Sequence, residues 1–110
     1  MRPETEKRVE DLLNRAKAAK AELDEAKERF GSNGDQYLHQ QIKQASVWLG
    51  DVEVHFVGQL REDRSPPRSL AEESNILAFA ESHLNDITLP LVRTISEWSK
   101  THGSKFQSIG

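Results

Sequence analysis

The chain has 110 residues, no cysteine, and 15 basic against 18 acidic side chains, for a net charge of −3. One domain of this size buries a modest core without staples. The missing thiols exclude disulfides, thiolate zinc sites and cysteine nucleophiles, and the near-balanced charge carries no basic footprint for nucleic acid.

The first helix is predicted over 3–30. Val9, Leu12, Ala16, Ala19, Leu23, Ala26 and Phe30 recur at alternating spacings of three and four among charged residues, the seam of a helix that buries a narrow stripe. Pro3 suits a first helical turn, where its missing N–H is not needed. Glu4/Arg8, Asp11/Arg15 and Glu25/Arg29 place acid before base at i,i+4, each pair adding a few tenths of a kcal/mol. Gly31 is a natural terminator, and Ser32–Asp35 supplies turn and capping chemistry for a short connection.

The second helix is predicted over 35–62, with the stripe Leu38, Ile42, Ala45, Leu49, Val52, Phe56 and Leu60. Gly50 and Gly58 each weaken a helix interior by about 1 kcal/mol. Residues 52–57 also alternate as a strand would, which leaves an α+β alternative in which they pair with 87–95. Arg61–Ser69, with Pro66 and Pro67 inside it, reads as an extended linker.

Ser69-Leu70-Ala71-Glu72 spells a capping box that opens a third helix over 70–101. Its stripe is Leu77, Ala80, Leu84, Ile87, Leu91, Ile95 and Trp98, with a kink expected at Pro90. The fold class is therefore all-α, an antiparallel up-down-up three-helix bundle over 1–102, followed by a flexible tail at 103–110. Register counting places Ala16, Trp48 and His83 at one level, with the alanines making room for the indole, and gathers Phe30, Tyr37 and Trp98 at the end holding the first turn. In length and layout three such helices resemble a spectrin-type repeat. That resemblance implies a scaffolding or adaptor habit, although the first helix lacks the tryptophan such repeats carry.

The chemistry-bearing residues are sparse. None of His39, His55, His83 and His102 stands in a Glu-x-x-His or His-x-x-x-His pair, so no metal and no cofactor is expected; His55 and His83 are expected at the core edge. No phosphate loop or nucleophile motif occurs, and no catalytic residue is assigned. Ser65-Pro66-Pro67-Arg68 reads as a helix-breaking linker, with a phosphorylation site or weak polyproline ligand as the sharper alternative. Two functions fit. One is a protein-interaction module without catalytic activity, an adaptor, assembly subunit or small regulator that binds another protein or its own copy, with no nucleic-acid or membrane partner and a cytoplasmic setting. The other is a bundle holding a small molecule in a pocket near Trp48, His55, Phe79 and His83, where Gly50 and Pro90 loosen the packing.

Overall fold

The computed structural model describes residues 2–31 and 36–103. These form three helical segments and, among the described residues, no strand, so the α+β alternative is set aside. We label as α1 the helix Pro3–Phe30. α2 begins as Gln36–Asp51, passes through a π turn at Val52–Val57 and ends with Gly58–Arg61. α3 comprises Leu70–His83, a π turn at Leu84–Thr88, Leu89–Trp98 and a last π turn at Ser99–Gly103. The expected turn chemistry at 32–35 and the tail beyond 103 lie outside the described residues.

α1 forms for the reasons its sequence advertises. Pro3 occupies its first turn, and the seven seam residues are all buried, joined by Thr5. Gly31 ends the helix with φ +58°, a conformation that only glycine takes without strain, and its N–H bonds the Lys27 carbonyl at 2.9 Å. At the start of α3 the Ser69 Oγ accepts the Glu72 N–H at 3.1 Å, while the Glu72 carboxylate accepts the Ser69 N–H at 3.4 Å. The capping box is complete.

Cross-helix pairs set the directions. Arg2 meets Glu73, Arg15 meets Asn85 and Arg29 meets Ser99, so α1 and α3 run alongside in the same sense, about 70 positions apart. Trp48 meets His83, whereas Phe56, later in α2, meets Phe79, earlier in α3; α2 runs against α3. The result is a rod of 61 × 21 × 18 Å around one continuous core.

The buried stripes of α2 and α3 depart from the expected ones downstream of the π turns. A π turn closes i→i+5 bonds and inserts one residue into the helix. Accordingly Gly58 N–H reaches Glu53 O, and Leu89 N–H reaches Leu84 O. In α2 the core passes from Val52 to Val57, leaving Phe56 half-buried on the flank. In α3 Thr88 and Val92 are buried where an unbroken repeat would place Ile87 and Leu91; Ile87 is 45% exposed, and Leu91 and Trp98 are half-buried. The cause is legible at Pro90. Without an N–H it cannot bond the Asp86 carbonyl, and the π turn delivers it into the first turn of a fresh α segment, where no such bond is required.

Two register expectations resolve at residue level. Phe30 and Trp98 pack edge to face at 5.9 Å, but Tyr37 is exposed rather than clustered with them. Trp48 does lie level with His83, yet its ring faces α3, and Ser46, Leu49 and Glu53 are the α2 side chains that line a groove with Ala16.

Candidate interaction surface

One residue ahead of Val9, Ala16 and Phe30 in the heptad stand Arg8, Arg15 and Arg29. This position flanks the seam and faces the parallel neighbour. Arg8 pairs with Glu81 and donates to Ser74 Oγ at 3.2 Å; Arg15 donates to Asn85 Oδ1 at 2.7 Å; Arg29 donates to Ser99 Oγ at 3.1 Å. Arg8 thereby leaves its expected partner Glu4, while Asp11/Arg15 and Glu25/Arg29 form as predicted at 3.5 and 3.4 Å. At the rod's end Arg2 pairs at 2.6 Å with Glu73, a nearly buried carboxylate that also accepts the Thr5 hydroxyl at 3.3 Å. The arginines of α1 reach α3, and the remaining exterior of α1, with its lysines, is densely charged.

α2 is the opposite. Across Gln36–Asp51 the charged residues are Lys43 and Asp51 alone, and neither makes an ion pair among the described residues. Gln40, Lys43, Val47, Asp51 and Val54 follow at helical spacing and are all exposed, so they form one outward stripe. Among the described residues the large apolar side chains left exposed all belong to α2 and α3: Tyr37, Val47 (49%), Val54 (78%), Leu70, Phe79 (63%) and Ile87. Loss of charge with retention of aromatic and aliphatic groups is the compositional mark of an interface core.

The four residues proposed to line a pocket sit on the α2–α3 flank. Trp48 and His83 come together, ring centroids 5.3 Å apart and nearly perpendicular. His83 is half-buried, its Nδ1 3.3 Å from the Thr88 hydroxyl. His55 is exposed rather than at the core edge, lying 5.5 Å from Phe56, which in turn stands 5.6 Å from Phe79. They fall into two separate aromatic groups, Trp48 with His83 and His55 with Phe79 through Phe56, and none of the four lines either cavity described next.

The first cavity, about 650 Å³, is a polar cup at the linker end in which Arg2, Arg61, Arg64 and Arg68 are offset by Glu6, Glu62, Asp63 and Glu73. The second, about 600 Å³, is a groove between α1 and α2 lined by Leu13, Ala16, Leu49 and Gly50, with Lys17, Lys20 and Lys27 offset by Glu10, Asp24 and Glu53. Gly50 opens it, because a Cβ there would have no neighbour within 4 Å. Among the described residues no three His, Asp or Glu side chains converge as a metal site, and no helix is long and apolar enough to cross a membrane.

Compared with protein-family models, curated proteins and solved structures, the chain matches none. The surface therefore has to be read from its own residues. Val47 and Val54 were missed at the sequence level; the scarcity of charge over Gln36–Asp51 is the signal for Val47, and Val54, between Glu53 and His55, carries none.

Proposed function

We infer that this protein is an interaction module, an adaptor, assembly subunit or small regulator, whose contact surface is the outward stripe of α2 with the adjoining flank of α3. The observation that carries this reading is the placement of the exposed apolar groups. Val47 on the charge-poor segment Gln36–Asp51, Val54 just beyond it, and Phe79 and Ile87 on α3 all stay exposed, while the outward face of α1 is charged. Keeping such groups in water costs solubility that a partner's cover recovers. The test is capture from the native source with the wild-type chain and with a Val54→Ser/Phe79→Ser variant, both verified as folded by circular dichroism. A discrete protein retained by the first and lost by the second supports the reading. Capture that ignores the substitutions, or no capture at all, overturns it.

The second reading, small-molecule binding, draws on the 600 Å³ groove beside Gly50, whose volume falls in the usual range of ligand pockets. The pocket first expected near Trp48 and His83 belongs to the same reading. A ligand beside Trp48 and His83 changes the emission of Trp48, a ligand in the groove raises the unfolding temperature, and a broad ligand panel that moves neither removes the reading.

A further inference from the structure

We propose that the α2 stripe is covered by a second copy of this chain, laid antiparallel so that α2 crosses α2 of its partner with Val47 at the twofold axis. This rests on the interaction reading and names its partner. The argument begins with charge. Lys43 and Asp51 lie four residues either side of Val47, on the same exposed stripe, and are the only charged residues in Gln36–Asp51. A twofold contact makes each residue meet its mirror position. Reflection about Val47 brings Lys43 of one copy onto Asp51 of the other, twice, with Val47 against Val47 between them. The parallel arrangement instead sets lysine on lysine and aspartate on aspartate, so the same two residues select against it.

Area and shape point the same way. A specific interface covers about 800 Å² per partner, and one broad side of a rod 61 Å long and 21 Å wide supplies that only when most of its length is engaged. The partner must therefore be comparably long. The stripe is also a ridge rather than a cleft, since Val54 projects with 78% of its surface exposed. Ser46 and Gly50, both exposed, flank it and leave room for a second helix to approach, nothing lying within 4 Å of the Gly50 Cβ position.

The experiment is light scattering with size exclusion over micromolar concentrations of the full chain, joined to a charge swap. Wild type is expected to dimerise. Lys43→Asp, which sets acid against Asp51 at two symmetric places, weakens the dimer about tenfold or more, as does Asp51→Lys. The double exchange restores it to within about threefold. Because the chain has no native cysteine, Val47→Cys is expected to give a covalent dimer on oxidation, while Ala21→Cys, exposed on α1, is not. A monomer at every concentration overturns the proposal and leaves the interaction reading to the capture experiment. A dimer indifferent to the exchange, or cross-linking equally from both cysteines, overturns this geometry.

Discussion

Trp48 and His83 stand edge to face across the α2–α3 contact, 5.3 Å apart at 87°, and the same imidazole reaches back to the hydroxyl of fully buried Thr88. One half-buried ring thus serves two helices. It completes an aromatic pair and satisfies a polar atom that the π turn has carried into the core.

Replacing that ring exposes both roles. His83→Ala is expected to lower stability by about 1–3 kcal/mol, from the lost ring contact and the stranded hydroxyl. Thr88→Val removes the need for a partner and keeps the shape, so it is expected to be neutral or stabilising. Urea unfolding of the two variants checks this, and equal losses would contradict it.

The register set by the π turn at Leu84–Thr88 makes a second prediction. Val92 is buried and Ile87 is not, so Val92→Ala is expected to cost about 1.5–3 kcal/mol and Ile87→Ala less than about 1. An unbroken three-four repeat through α3 reverses that order.

Glu73 is a carboxylate at 6% exposure, held by Arg2 and Thr5. Removing Arg2 leaves a desolvated carboxylate without its counter-ion. Arg2→Ala is expected to cost about 1–3 kcal/mol, and Glu73→Gln, which keeps an acceptor for Thr5, less than Glu73→Ala. Thermal unfolding of the three single variants reads out the order.

The glycines should respond in opposite directions. Gly50→Ala meets no neighbour within 4 Å and gains helix propensity, so the monomer is stabilised by about 0.5–1 kcal/mol. Gly31→Ala puts a Cβ on a residue at φ +58° and destabilises by about 1 kcal/mol. Denaturant midpoints with unchanged slopes would show that both effects are on stability.

How far the primary structure reaches can be judged from particular residues. The α1 seam, Gly31, the capping box at Ser69 and the bounds of all three helices follow from local chemistry: side-chain spacing, proline and glycine backbone limits, and hydrogen bonds within four residues. These effects act within one turn of helix, so they are written in the order of residues. The buried face beyond Val52 and beyond Leu84 is different. A π turn adds one residue to the count, and whether Ile87 or Thr88 then meets the core depends on how packing against two other helices weighs against an intact α-helical ladder. Likewise the partners of Arg8, and the placing of Val54 rather than Phe56 outermost, arise only when helices far apart in sequence meet. Spacing names the amphipathic rods; their mutual contact decides which apolar groups are left to face the solvent.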